Sequence, residues 1–408
     1  MTVFKYNKNK LFCESLSILK ITKKIKTPFY LYSNKLIVEN YKNFVANFKK
    51  IRPLICFSVK ANSNISILKV LKSLGSGADV VSAGELLKVI KSGIKPKKIV
   101  FSGVGKSEEE IRLAIKNKIL LINVESESEA ILVNKISGQL RKRTSIGIRL
   151  NPDIKASTHR KISTGKSKDK FGLSRENIIS FCKKINNLKN INLDAISVHI
   201  GSQILNDFPF RKTLVVLSSI IKDANLKLKY VDLGGGFGIP YEAKDSKINL
   251  KNYSKLVYRF KKKYNCNIIF EPGRSIIGNS GVLVSKIQFI KKNKNKTFAV
   301  LDAGMNDFMR PALYEAKHNI KPLVKRKKIH KSNIEFVGPI CETTCKFIEY
   351  RKFQKIYEKD LVAILDVGAY GYSLASNYNT KPLPEEIMVT KNKFKVIKKR
   401  QSLTELLK

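Results

Sequence analysis

Eight short runs rich in Ile, Val, Leu and Phe recur along the first two thirds of the chain, and nearly every one stops at a residue able to do chemistry. They lie near 54–59, 77–82, 98–102, 119–124, 145–150, 194–200, 228–233 and 267–271, with helical apolar spacing between most of them. Strands that alternate with helices imply parallel pairing, because a parallel crossover needs a connection of helix length. Eight such units are what a (β/α)8 TIM barrel requires, so the expected fold is α/β.

The run ends narrow the reading further. Lys60 closes the first run, Ser82 and Glu85 follow the second, Ser102 and Gly103 the third, and Asn123 and Glu125 the fourth. Arg149, Asn151 and Pro152 end the fifth, His199 with Gly201 and Ser202 the sixth, Gly234-Gly235-Gly236 the seventh, and Glu271 the eighth. In a barrel these converge on the catalytic rim, whereas a random scatter divides them between both ends. The sharpest stretch is 267–274, where an apolar run breaks into Glu271-Pro272-Gly273-Arg274. One unit earlier, the bare N–H groups of a glycine-rich turn form a nest for an anion. Loops after the last two barrel strands are the habitual phosphate site.

Lys60 follows an apolar strand, where it is a candidate amine nucleophile able to form a Schiff base. With a phosphate nest on the same rim, the cofactor this implies is pyridoxal phosphate. Glu271 then faces the pyridine nitrogen and keeps it protonated. His199, one of four histidines, has a tight turn beside it that suits a ring laid against a flat ligand. Plainer readings stand beside each. Among 79 Lys and Arg a lysine is ordinarily a surface charge; Glu271 can pair with Arg274; His199 can be a satisfied core residue; and Cys341 can be a small buried hydrophobe. Cys341 and Cys345 have a spacing metal ligands use, but no second Cys/His pair accompanies them.

At 408 residues and 43% hydrophobic content the chain has material for two domains. The alternation stops after Arg274, and 280–400 carries short strands near 282–289, 297–301, 334–337 and 361–367 between Gly, Pro and Asn turns. A strand at 29–32, followed by a helix from Asn34 to about residue 50, lies outside the barrel. The expected division is an N-terminal segment and joining strand (1–33), a barrel (34–278) and a mostly β domain (279–408), with the polar insert at 151–171 looping over the rim. No apolar run reaches membrane-spanning length and no signal peptide opens the chain, so a cytoplasmic location is expected. The six scattered cysteines make no disulfide framework. A formal charge of +47 is the footprint of many nucleic-acid binders. Here, though, the lysines spread over nearly every helix, as a compositional bias does, and only salt-sensitive adhesion is expected.

Eight segments together resemble one family: FSVKAN (57–62), DVVSAGEL (79–86), SVHIGSQ (197–203), DLGGGFG (232–238), EPGR (271–274), MRPALY (309–314), GPICE (338–342) and GAYGYSLASNYN (368–379). In this order and spacing they are similar to the diaminopimelate decarboxylases, of the alanine-racemase-like, fold type III group of pyridoxal-phosphate enzymes, from about residue 25 to 390. The resemblance implies decarboxylation of meso-diaminopimelate to L-lysine. It implies that Lys60 holds the cofactor, His199 stacks on its ring, and Glu271 meets the pyridine nitrogen. Ser202, Gly235, Gly236 and the Gly273-Arg274 turn form the phosphate cradle in that reading. Arg274, Arg310 and Tyr314 hold the substrate's distal carboxylate, with Glu342 and Thr343 at its distal amino-acid end. Cys341 reprotonates Cα, and Tyr370, or else Tyr378, touches cofactor and substrate. The family's Cys-Glu segment comes from a partner subunit, which implies a homodimer with shared active sites. One departure stands out: Cys345 replaces the family's usual aspartate. The competing readings are a decarboxylase of ornithine, arginine or carboxynorspermidine, and a non-catalytic pyridoxal-phosphate-binding homologue. The Arg274/Arg310 pair argues against a substrate with no second carboxylate, and the presence of both Lys60 and Cys341 argues against lost chemistry.

Overall fold

The computed structural model describes residues 3–154, 164–165, 169–242, 244–294 and 296–408. It divides into two compact units, one of residues Tyr41–Pro240 and Ser246–Ser275, the other of Met1–Asn40, Tyr241–Asp245 and Ile276–Lys408.

The first unit is a closed barrel of eight strands. They are β1 (Leu54–Ser58), β2 (Gly77–Val80), β3 (Ile99–Phe101), β4 (Leu121–Val124), β5 (Thr144–Leu150), β6 (Ile191–Val198), β7 (Tyr230–Asp232) and β8 (Asn267–Phe270). Each pairs in parallel with the next, and β8 closes on β1 through Ile269 opposite Leu54 and Phe270 opposite Ile55. Such strands are covered on both faces, which is why they read as continuous apolar runs rather than alternating ones. Cys56, Val100, Leu121, Ala195 and Ile269 form one cluster drawn from five of these strands. Gly77 belongs to this close packing, since a Cβ there would lie 2.2 Å from the Lys98 carbonyl oxygen.

Helices start where the returning chain supplies a cap. Ser82, Ser107, Ser126 and Ser174 each accept the amide N–H of the residue three positions on, and Glu110 completes a capping box with Ser107. Ser82 is therefore a helix cap and not a rim reagent, and Glu85 accepts the Val81 N–H at 2.9 Å. Residues 155–163 and 166–168 of the polar insert at 151–171 lie outside the described residues.

The second unit is mostly β, with a nine-stranded sheet built around the long strand Gly281–Asn293. Phe29–Ser33 lies antiparallel to residues 281–284 and parallel to 385–389, so the early strand does stand outside the barrel. The helix after it runs Asn34–Asn47. Residues 4–17 form a small three-stranded antiparallel sheet whose short strands carry no clear pattern in the sequence. Its apolar side joins a core of Phe4, Leu11, Ile18, Phe29, Leu31, Val282, Val284 and Ile387.

Candidate active site

A cavity of about 340 Å³ opens at the C-terminal rim of the barrel, lined among others by Lys60, Ser102, Asn123, Arg149, His199 and Glu271. All six were expected at strand ends, and the barrel brings them together.

Lys60 sits on a single 3-10 turn, Val59–Ala61, directly after β1. Its Nζ lies 2.8 Å from Asp79 Oδ2 on β2, and Ser58 Oγ donates to the same oxygen at 2.6 Å. Asp79 is fully buried, and its other oxygen has no hydrogen-bond partner among the described residues. Sequence reasoning passed over Asp79, although an acid inside the apolar run Gly-Ala-Asp-Val-Val was a readable signal.

His199 follows β6 with its ring partly buried. Its Nδ1 accepts the Gly235 N–H at 3.2 Å, which leaves the ring proton on Nε2. Burial, then the cations of Lys60 and Arg149, hold the imidazole well below its ordinary range. The ring is therefore neutral at physiological pH.

The glycine turn is tightly enclosed. A Cβ on Gly234 would lie 2.2 Å from the Val198 carbonyl oxygen, and one on Gly235 would lie 2.2 Å from that of Glu271. Two of its amides are already committed, Gly234 to Asp232 Oδ1 at 3.0 Å and Gly235 to His199. Gly235 thus positions the histidine instead of offering its N–H to a phosphate. Among the described residues no acceptor takes the N–H of Gly236, whose φ of 93° suits glycine. On the same side of the barrel, buried Arg274 donates to Ser202 Oγ at 3.0 Å. A spare amide, a hydroxyl and a guanidinium fit the demands of a phosphate group.

Across the cavity stands a buried polar chain. Ser102 Oγ donates to Glu271 Oε1 at 3.3 Å, and Asn123 Nδ2 donates to Ser102 Oγ at 3.1 Å and to Asp232 Oδ2 at 3.2 Å. Burial, then the Asp232 and Asp79 charges, push the Glu271 carboxyl well above its ordinary value. Asp232 is also raised, chiefly by burial. Both carboxyls thus hold a proton more tightly than exposed ones do. A carboxyl of raised proton affinity at the end of β8 is a suitable partner for a pyridine nitrogen. Arg149 is fixed by Glu125 at 2.7 Å, with the Phe171 ring 4.7 Å from its guanidinium carbon. The donor set as a whole fits pyridoxal phosphate.

The other predicted residues belong to the second unit. Arg310 is buried at the start of the helix Arg310–Tyr314, while Tyr314 and Tyr370 are half-buried and Tyr370 adopts a φ of 55°. Cys341, Glu342 and Thr343 are exposed, and Tyr378 Oη donates to Glu342 Oε1 at 2.5 Å. Cys345, by contrast, is buried, and its Sγ accepts the Met305 N–H at 3.3 Å. Position 345 is therefore turned to a backbone amide, away from the exposed Cys341–Thr344 face.

A barrel whose rim joins a paired lysine, a buried carboxyl and a glycine turn defines a pyridoxal-phosphate enzyme, and the pyridoxal binding domain of the pyridoxal-dependent decarboxylases matches residues 34–278. The chain is 39% identical over 400 residues to diaminopimelate decarboxylase of Aquifex aeolicus, covering 97% of this chain and 94% of that protein. The Helicobacter pylori protein of the same name is 42% identical over 386 residues, covering 93% and 95%. Among solved structures, H. pylori diaminopimelate decarboxylase complexed with L-lysine matches with a TM-score of 0.90 at 40% identity, covering 96% of this chain and 98% of that one. The M. jannaschii enzyme in co-complex with L-lysine gives 0.93 at 33% identity, covering 100% and 98%. This chain belongs to the diaminopimelate decarboxylase family.

Proposed function

We propose that this chain removes one carboxylate of meso-diaminopimelate as CO2 and releases L-lysine, the last step of lysine synthesis. The observation that carries the reading is that Lys60, His199 and Glu271 line one cavity, the lysine paired with a buried aspartate. Pyridoxal phosphate, when bound, supplies a conjugated sink for the electron pair left by the departing carboxylate.

The protein's own groups do the rest. Lys60 tethers the cofactor, and Asp79 takes up and returns the proton of its Nζ. Glu271, backed by Asp232, presents a protonated carboxyl to the pyridine nitrogen. Ser202, Gly236 and the Gly273-Arg274 turn hold the phosphate. Neutral His199 lays its ring against the cofactor without adding positive charge. Cys341 delivers a proton to Cα in place of CO2. Arg274, Arg310 and Tyr314 hold the far carboxylate, Glu342 and Thr343 the far amino end, and Tyr370 touches cofactor and substrate. Guanidinium groups bind a carboxylate in two-point fashion, which favours a substrate that has a second one.

A homodimer with shared sites belongs to the same reading, supported by the exposure of Cys341 and Glu342 on this chain. So does a cytoplasmic setting: the six cysteines are all unpaired, and no helix among the described residues is long and apolar enough to cross a membrane. The test is CO2 and lysine release from meso-diaminopimelate by the pyridoxal-phosphate-loaded protein, with ornithine and arginine in parallel and Lys60→Ala as the blank. Turnover of ornithine or arginine in place of diaminopimelate refutes the substrate. For the dimer, mixing inactive Lys60→Ala and Cys341→Ala chains should restore about a quarter of the activity, because each mixed dimer holds one intact site; no recovery after subunit exchange refutes sharing.

A further inference from the structure

Arg310 is held in an unusual way. Its Nη1 lies 2.6 Å from His318 Nε2 and 3.0 Å from Tyr241 Oη, and its guanidinium carbon sits 4.9 Å from the centroid of the Tyr241 ring. His318 is fully buried, with the Phe308 ring 4.7 Å away at 87° and the Tyr241 ring 4.9 Å away at 65°. The tautomer follows from the partners. Nδ1 is 2.8 Å from the Leu365 carbonyl oxygen, which can only accept, so Nδ1 carries the hydrogen. Nε2 then turns its lone pair to the guanidinium; a cationic ring would set N–H against N–H at that distance. The carboxyl of neighbouring Asp366 is pushed up to about 6 by burial, with Lys321 and Arg310 pulling it down.

We propose that His318 is a positioning residue that fixes the Arg310 guanidinium for a ligand carboxylate, and thereby sets the preference for amino acids with a carboxylate at the far end. The proposal rests on the reading of Arg310 as a carboxylate-binding group. An imidazole that accepts one N–H of the guanidinium sets the direction of the remaining ones. Tyr241 adds a ring face and a hydroxyl to the same group.

L-Lysine and 1,5-diaminopentane separate this role from general damage, since they share both amines and differ by the carboxylate. Binding of each to the pyridoxal-phosphate-loaded enzyme is read from the cofactor's absorbance. His318→Leu should weaken L-lysine about ten- to a hundredfold, the effect of losing one hydrogen bond to a charged group, and leave 1,5-diaminopentane within about twofold. His318→Gln, which keeps an acceptor, should recover L-lysine to within about fivefold of the parent. Tyr241→Phe, which deletes only a hydroxyl, should shift L-lysine in the same direction by a smaller factor, and it serves if the histidine variants do not fold. Equal weakening of both ligands, no advantage of Gln over Leu, or an unchanged L-lysine affinity in Tyr241→Phe overturns the proposal. Arg310→Ala tells the two levels apart: unchanged L-lysine binding there sinks the Arg310 reading itself, whereas a loss there with none in His318→Leu sinks only the positioning role.

Discussion

Replacing Lys60 by alanine should weaken the fold of the cofactor-free protein as well as abolish activity. The 2.8 Å pair with Asp79 is worth about 6 kcal/mol at an effective dielectric of about 20. Lys60 keeps 35% of its side-chain exposure, so solvent screening and desolvation leave about 2 kcal/mol of net coupling. In Lys60→Ala the fully buried Asp79 keeps only the Ser58 hydroxyl among its described donors, and the expected cost is about 2–3 kcal/mol. Asp79→Asn removes the charge and lets the lysine turn to water, at about 1 kcal/mol. The double variant should then be more stable than the sum of the single losses predicts, by about 2 kcal/mol. Urea unfolding of the four proteins at one pH reads this out by far-UV circular dichroism, since the chain has no tryptophan. Losses that add to within about 0.5 kcal/mol would refute the coupling.

Three further outcomes are expected. Burial and the Asp232 charge raise the Glu271 carboxyl in the folded state, so its proton stabilises the apo-protein below the unfolded value of about 4.3, and that contribution is lost as pH rises through the folded value. The stability gap between Glu271→Gln and the parent should therefore grow in the variant's favour from about pH 5 upward, and a flat difference across denaturation curves contradicts the raised carboxyl. Gly235→Ala puts a Cβ 2.2 Å from the Glu271 carbonyl oxygen and 3.6 Å from His199 Cε1, with an expected cost of at least about 1–3 kcal/mol and loss of the cofactor on gel filtration. Full retention of the cofactor contradicts the tight turn. Because Cys345 Sγ accepts the Met305 N–H, Cys345→Asp should keep activity within about threefold while Cys345→Leu loses it, and steady-state rates that rank the two the other way contradict that contact.

The barrel was legible because its strands are buried on both faces. Runs expected at 54–59 and 267–271 became Leu54–Ser58 and Asn267–Phe270, since continuous apolar sequence leaves little choice of boundary. Lys60, His199 and Glu271 were legible for a related reason, as chemistry placed where such a run stops. That rule cannot tell which strand-end residues turn inward and which cap the next helix, and so it took Ser82 and Glu85 for rim residues. Asp79 escaped it by lying inside a strand. His318 and Tyr241 escaped because the contacts that matter join residues 241, 310, 318 and 365, which no local pattern links. The N-terminal hairpin was missed for want of length: two four-residue strands meet at Lys8 and Asn9, whose φ values of 44° and 63° make a two-residue turn without the usual glycine.

The strand Phe29–Ser33 is made early and paired late. One of its neighbours begins at Gly281 and the other at Glu385. During synthesis five buried-type residues, Phe-Tyr-Leu-Tyr-Ser, must therefore wait without partners while the whole barrel sequence emerges and closes its own ring of strands. Such a waiting edge is the kind of segment that captures a strand from another nascent chain. A chain cut short before residue 385 would retain one open side of that strand for good. Truncations near the C-terminus should consequently appear as aggregates even though the catalytic barrel is complete, and residues that touch no ligand decide how much usable enzyme a cell obtains.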